Sequence, residues 1–550
     1  MIRAESTPRS VIVGQGPLAL HCANVLSKGG HELVAVSTVD DRFRKWAQRQ
    51  GIPVVDDLSA IPSLSHSTPF DYLFSIVNYR ILPASLLKAP RRFAVNYHDA
   101  LLPRYAGTYA TTWAIMNGES RHGITWHIMT EEVDAGDILK QVAFPIGPED
   151  TAASLNVRCH YEAIGAFSRL VDELSAGTER RIPQDLSART YFELSARPEA
   201  GCLISFDSAA RNVDCFVRAL TFGSHPNPIG SPKISVGERY FAVGKAEITP
   251  CESTAAPGVV TGIDDDALLV ATITQNVRLS GVTSLRGGEI TTAVLRERHE
   301  LAIGTHLNSI DTVSRGRITT LHQRACRHEG YWAGRLAGIQ PAAFEIEGCT
   351  YTRPRGHWRT LEVHLNEAWA ATLDSCFGGV SWAEALLALS VVFLSQEASL
   401  GRDFGFVDSE LADELTGLEE LFAVCVPVHV DSACPATTAR QMTECVLKDL
   451  KKLTKRQTYL RDIVIRYPGM NLTDLNGDPG SDSLTLYPIV FCLNHGDLND
   501  RLFGTQMTVS IGLNRKLCQW HYDGAAIPET SVAALMARFV RFAVRALSEP

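Results

Sequence analysis

Residues 96–107 read Asn96-Tyr97-His98-Asp99-Ala100-Leu101-Leu102-Pro103-Arg104-Tyr105-Ala106-Gly107 and continue the apolar run Phe93-Ala94-Val95 without a break. A short apolar run closed by polar and turn residues is the pattern of a buried strand entering a loop. Successive side chains on a strand point to opposite faces, so Asn96 and His98 share one face. An amide and an imidazole then stand together at a strand's C-terminal end, where open α/β sheets bind their ligands. Such a pair suits one shared carbonyl oxygen.

Outward from that strand, β-branched or aromatic runs alternate with helical patterns at Val11–Val13, Leu33–Ser37, Tyr72–Val77, Phe93–Asn96 and Ile124–Met129. The alternation predicts βαβ units around a largely parallel sheet, an α/β first domain over residues 1–182. Thr151–Leu174 predicts a long amphipathic helix that buries Leu155, Val157, Ile164, Phe167 and Leu170. Residues 176–192 are polar and contain a proline, which marks a joint. Short strands punctuated by Gly and Pro then predict a small β-rich domain over 183–305. A second polar joint is expected near 305–322. Beyond it, helices are expected at Ser381–Ser399, Ala436–Lys455 and Ser531–Ser548, and strands at Phe422–Val430, Ser483–Leu493 and Met507–Ile511. These predict a third, α+β domain over 323–550.

A second chemical element, Val133-Asp134-Ala135-Gly136-Asp137-Ile138-Leu139, follows the strand expected at Gly123–Met129. Gly136 is read as the residue that lets the loop turn, and Asp134 as placed to reach the second nitrogen of His98. Alone, a buried His or a turn Asp is more often a satisfied structural group. Composition narrows the chemistry. The 550 residues exceed one ordinary core, and 45% hydrophobic with 21% charged residues is ordinary for globular domains. A net charge of −9 argues against nucleic acid as the main partner. Thirteen cysteines without a CxxC pair or a Cys/His cluster predict neither a disulfide framework nor a metal site. The start, MIRAESTPRSVIVG, lacks an apolar signal-type core and no run of eighteen apolar residues occurs, so a soluble, cytoplasmic protein without a membrane partner is expected. Gly14-Gln15-Gly16 lacks the third glycine and the acidic residue of a dinucleotide fingerprint and reads as a tight turn. Trp520-His521-Tyr522-Asp523-Gly524 lacks the spacing of an acyltransferase histidine motif and reads as structural.

In order and spacing, Asn96-x-His98, then Ala100-Leu101-Leu102-Pro103, then Asp134-x-Gly136 resemble the motifs of the folate-dependent formyltransferases. That family includes the methionyl-tRNA, glycinamide ribonucleotide and amino-sugar formyltransferases. The resemblance covers residues 10 to 175 and departs at Ala100, where many relatives carry Ser. It implies a Rossmann-like catalytic domain, 10-formyltetrahydrofolate as cosubstrate without a metal, and Asn96, His98 and Asp134 as the catalytic set. It further implies that Arg80, Ile81, Leu82, Leu86, Leu87 and Leu102, with Glu131, Glu132 and Val133, contact the folate.

Residues 186–304 resemble the small barrel-like, OB-like domain that follows the catalytic domain in that family. His328–Gly338, Leu418–Val430 and the closing segment 507–548 resemble the C-terminal lobe of a nonribosomal peptide synthetase condensation domain, so the third domain is expected to be half-condensation-like. Asn96–Gly107 with Gly123–His127 is also similar to the formylation domains of peptide synthetase initiation modules. This implies an amino-acid amine as acceptor, with an aminoacyl carrier protein or a small amine as partner. Three other readings stay open: formylation of a nucleotide-linked amino sugar, hydrolysis of formyltetrahydrofolate, and non-catalytic docking to a carrier.

Overall fold

The structure is a computed structural model describing residues 7–63, 68–343, 357–365, 367–398, 401–430, 438–470, 487–494, 505–513, 516–525 and 527–548. The N-terminal sheet has six strands: β1 (Arg9–Gly14), β2 (Glu32–Ser37), β3 (Tyr72–Ile76), β4 (Phe93–His98), β6 (Arg121–Ile128) and β7 (Ile138–Pro145). Their order is β2-β1-β3-β4-β6-β7. The two-residue strand β5 (Ala106–Gly107) lies outside this sheet and pairs with β8 (Tyr191–Phe192). Alternation along the strands builds two cores. Ile12, Phe74, Val95 and Tyr97 pack on one face, while Val11, Val13, Leu73 and Ala94 pack on the other. By the same alternation Asn96 and His98 leave β4 on the side opposite Val95 and Tyr97, as the period of two requires.

The sheet is mixed rather than largely parallel. β1 to β4 run parallel, but β6 is antiparallel to β4 and makes an antiparallel hairpin with β7. β7 went unread in the sequence because it is an edge strand, with Lys140 and Gln141 interrupting its apolar pattern. The turn Gly14–Gly16 joins β1 to the helix Gly16–Lys28, with the Gln15 N–H donating to the Ile76 carbonyl.

The long helix runs Ala152–Ala176, begins at a capping box of Thr151 and Ser154, and ends at left-handed Gly177. Leu155, Phe167 and Leu170 are buried and Ile164 packs partly against the core. Val157 is 63% exposed, against expectation. Two residues beyond Leu155 it lies about 200° around the helix, off the buried stripe.

In the second unit, β9 (Lys233–Val236), β10 (Arg239–Glu252), β11 (Val260–Ile263), β12 (Ala267–Val270) and β13 (Gln275–Ser284) form an antiparallel sheet in the order β11-β12-β13-β10-β9. The helix Ala210–Ala219 covers it through Val213 and Val217. The segment read as a second polar joint carries the helix Thr312–Ala325.

The third unit is a six-stranded mixed sheet ordered β14-β19-β18-β17-β15-β16, spanning Trp358–His364, Leu517–Asp523, Met507–Gly512, Ile489–Asn494, Asp403–Asp408 and Val426–His429. Helices Trp382–Glu397, Ala439–Arg456 and Glu529–Ser548 pack on one face. Residues 399, 436–437 and 483–486 of the expected elements lie outside the described residues. The expected strand Phe422–Val430 forms only over Val426–His429.

The second and third units share a core, in which Ala242 and Leu285 meet Ile318 and Leu321 and then Val407, Cys425 and Val490. A buried ionic chain reinforces the contact. Lys233 donates to Asp462 at 2.5 Å, Arg466 donates to Asp462 at 2.9 Å, and Arg466 also pairs with Glu329. Among the described residues, no helix is long and apolar enough to cross a membrane.

Candidate active site

Asn96 and His98 stand at the C-terminal end of β4, and the antiparallel partner β6 sets His127 opposite Asn96 and Thr125 opposite His98. The chain then turns through residues 129–137 and brings Asp134 back over the strand end. The Asp134 carboxylate lies 3.6 Å from His98 Nδ1 and 3.4 Å from His127 Nε2. It accepts the Gly107 N–H at 2.8 Å and faces the Asn96 amide nitrogen at 3.5 Å. The three residues read from the sequence therefore meet at one point, nearly closed to solvent: the His98 side chain is 5% exposed and that of Asp134 8%.

The local backbone explains how Asp134 gets there. Asp134 itself adopts the left-handed conformation, at φ +54, which short polar side chains tolerate better than most. Gly136, read as the turning residue, is needed for another reason, since a Cβ there would stand 2.0 Å from the Ile128 carbonyl oxygen. Gly107 meets both demands, with φ +98 and a Cβ position 2.0 Å from the Phe192 carbonyl oxygen.

Hydrogen bonding fixes the ring nitrogens. A carbonyl can only accept, so His98 Nε2–H donates to the Tyr105 carbonyl at 2.7 Å and Nδ1 is the nitrogen turned toward Asp134. His127 Nδ1–H likewise donates to the Ile128 carbonyl at 2.9 Å. Its Nε2, 3.2 Å from the Asn96 amide nitrogen, accepts from Asn96 in the neutral ring and donates to Asp134 in the charged one. Burial works to raise the Asp134 carboxyl. The charge of His98, the hydrogen bond and charge of His127 and the Gly107 N–H outweigh it and hold the group well below the ordinary carboxylate range.

The residues implied for folate contact divide into two sets. Ile81, 88% exposed, Val133, 45% exposed, and Glu131 and Glu132 lie open, and Leu87 is half-buried. Arg80 is held by Asn78 and by the Ser37 hydroxyl at 3.2 Å. Leu86 is fully buried among Val11, Phe70 and Leu73, so it is a core leucine with no face to offer a ligand. Leu82 and Leu102 are also buried. The Lys88–Glu131 ion pair, 3.2 Å, ties the turn beyond Ile81 to the loop carrying Val133. Ala100, the departure from the motif, is buried with Tyr105, Ala110 and Trp113, and its carbonyl accepts from Thr125.

Sequence reasoning missed His127, the Tyr105 carbonyl, the Gly107 N–H and Gln184, whose side-chain amide donates to the carbonyls of Asp134 and Gly136. His127 was within reach, two residues before the end of a correctly expected strand, but only antiparallel register sets it against Asn96. Among the described residues, no group of His, Cys, Asp or Glu side chains is arranged to hold a metal ion.

Residues 66–171 match the family model described as formyl transferase. The methionyl-tRNA formyltransferase of Legionella pneumophila (strain Philadelphia 1) is 29% identical over 279 residues, covering 48% of this chain and 86% of the relative. That of Geobacter sulfurreducens is 27% identical over 326 residues, covering 56% and 98%. Among solved structures, an N-formyltransferase from Helicobacter canadensis in complex with folinic acid and dTDP-3-aminofucose is 17% identical with a TM-score of 0.39, covering 50% of this chain and 99% of that one. HypX from Aquifex aeolicus in complex with tetrahydrofolic acid is 17% identical with a TM-score of 0.38, covering 54% and 48%.

Proposed function

We propose, from the premise that this chain is an enzyme of the formyltransferase family, that it moves the formyl group of 10-formyltetrahydrofolate onto the α-amine of an amino acid tethered to a carrier protein. The carrying observation is the convergence of Asn96, His98 and Asp134 on one strand end, with the Asp134 carboxylate within 3.6 Å of both partners. The donor is assigned to the residues that the family resemblance implies for folate contact. Ile81 and Val133 expose large apolar side chains on tied segments, and covering such area stabilises a flat, partly apolar ligand by about 25 cal/mol per Å².

In this reading the amine nitrogen attacks the formyl carbon, a C–N bond forms and the carbonyl oxygen takes up negative charge. Asn96 turns its amide N–H from the long 3.5 Å contact with Asp134 to that oxygen. His98, its Nε2–H committed to Tyr105, supplies a second donor from a protonated Nδ1 beside the carboxylate. Asp134 takes the ammonium proton through a water and passes it on by the same water to the folate N10 as the bond from the formyl carbon to N10 breaks, so tetrahydrofolate leaves with N10 protonated and Asp134 is restored as the carboxylate.

The relatives named methionyl-tRNA formyltransferase act, by that name, on methionyl-tRNA. An aminoacyl thioester on a carrier presents the same α-amine beside an activated acyl group, without the polyanion that a chain of net charge −9 is poorly suited to hold. We assign residues 1–182 to catalysis, 183–305 to the OB-like β-rich unit and 323–550 to a half-condensation-like unit that presents the acceptor. The shared core between the second and third units supports a fixed rather than a tethered presentation.

The test is mass spectrometry of aminoacyl carrier proteins, aminoacyl-tRNA and nucleotide-linked amino sugars, each incubated with 10-formyltetrahydrofolate and the chain. An added carbonyl on the carrier-bound amine supports the proposal. Formylation confined to tRNA or sugar replaces the acceptor, formate released without any amine makes the chain a hydrolase, and carrier binding with untouched folate makes it a docking protein.

A further inference from the structure

The segment between the first and second units grips both catalytic loops. Ile182 pairs with Ile138 through two backbone hydrogen bonds of 2.8 and 3.0 Å. Two residues on, the Gln184 side-chain amide donates to the Asp134 carbonyl at 2.9 Å and to the Gly136 carbonyl at 2.6 Å. Arg189 donates to the Val133 carbonyl at 2.9 Å. Thr190 and Phe192 then take the other loop. The Tyr105 N–H donates to the Thr190 hydroxyl at 2.8 Å, and the N–H groups of Ala106 and Thr108 donate to the carbonyls of Thr190 and Phe192 at 2.9 Å each. Phe192 stacks on Trp113 with ring centroids 4.6 Å apart.

Both gripped loops reach the catalytic cluster, one bringing the Asp134 carboxylate and the other two backbone groups. The Tyr105 carbonyl takes the His98 Nε2–H, and the Gly107 N–H meets the Asp134 carboxylate. Gln184 stands out because its two N–H donors hold two carbonyls of this turn, that of the left-handed Asp134 itself and that of Gly136. Its amide oxygen, by contrast, is buried without a hydrogen bond. Leaving a buried acceptor unmet is unfavourable, so the side chain is held for what its nitrogen does.

We infer that Gln184 is a positioning residue for formyl transfer: its amide clamps the Asp134 turn, through which the segment 182–192 sets the carboxylate against His98. The inference rests on Asp134 acting in the proposed reaction.

Gln184→Met keeps the side chain's length and removes both donors, and Gln184→Ala serves if the first variant packs badly. Full-length wild type and variants are compared by hydrogen exchange over residues 129–137, and by donor consumption from 10-formyltetrahydrofolate with aminoacyl carrier proteins across pH. Faster exchange in that loop, a kcat lower on the order of 10²-fold with KM for the donor unchanged, and an acid limb of kcat moved up toward ordinary carboxylate values support the inference. The limb moves because Asp134 then loses part of its contact with His98 from β4, His127 from β6 and the Gly107 N–H. Wild-type exchange in both variants overturns it, and so does a lower kcat with an unmoved acid limb, the mark of a merely structural role. Faster exchange in a chain whose wild type leaves the folate untouched upholds the clamp and refutes the proposed reaction instead.

Discussion

Replacing Asp134 with Asn removes one charge and almost no volume, which isolates the electrostatics of the cluster. The carboxylate lies 3.6 Å from His98 Nδ1, and unit charges at that distance interact by about 5 kcal/mol at an effective dielectric constant of ~20. That figure is a ceiling, since the Gly107 N–H still finds an amide oxygen at position 134 and the loop clamps remain in place. Loss of one stabilising group of the oxyanion-hole kind lowers kcat by about 10²–10³, or roughly 3–4 kcal/mol, and the drop expected for Asp134→Asn falls in that range. KM for the folate is expected to hold, because the implied donor surface at Ile81 and Val133 is untouched. Stability is expected to fall at neutral pH, where the carboxylate's contribution is fully present and the variant lacks it. The depressed carboxyl contributes stability above its unfolded value near 3.8, and that contribution fades only as pH falls below it, so wild type and variant converge in acid. Steady-state kinetics with thermal melts between pH 3 and 8 check this. An Asp134→Asn enzyme with kcat within a few-fold of wild type would refute the electrostatic role.

Gly107→Ala places a Cβ where only 2.0 Å separates it from the Phe192 carbonyl oxygen, at φ +98. Parting of β5 from β8 is expected, with a stability loss of about 1–3 kcal/mol in urea unfolding and a much larger fall in kcat. Lys233→Met leaves Asp462 buried with one cation fewer. A loss of about 3–5 kcal/mol is expected in denaturant unfolding, with the cooperative transition splitting if the second and third units separate. Asp462, raised by burial but held low by Arg466 and Lys233, predicts that the native contact between these units weakens only when pH falls below the ordinary carboxylate range.

The pairing of Asn96 and His98 was legible because two physical signals coincide in it: a period-two strand pattern fixes their shared face, and the end of an apolar run fixes where the strand stops. Asp134 was legible only through motif spacing. Its left-handed backbone reflects tertiary contacts from Gln184 and Arg189, fifty or more residues away, that no local propensity encodes. The segment 176–192, read as a joint for its polar residues and proline, turns those polar groups onto the loops that carry Tyr105 and Asp134 rather than to solvent alone. Val157 failed for a simpler reason, since counting apolar residues on a helix ignores the angle each one takes. The mixed sheet was missed because hydrophobic periodicity carries no strand direction, and with direction went the register that sets His127 opposite Asn96.

The clamp also explains why a non-glycine residue can hold the catalytic turn. A left-handed Asp costs of order 1 kcal/mol, and burying its carboxylate adds to that. Against this stand two hydrogen bonds from Gln184, one from Arg189 and one from Gly107, each worth about 0.5–1.5 kcal/mol net, so the sum favours the observed turn. Glycine at position 134 would relieve the backbone and abolish the carboxylate. The sequence instead keeps the acid and enforces its conformation from outside, with groups that arrive from the segment leading into the second unit. Placement of the acid on this strand end therefore depends on chain beyond the sheet that carries it, and a catalytic unit cut before Gln184 would retain Asn96 and His98 while losing the restraint on their partner.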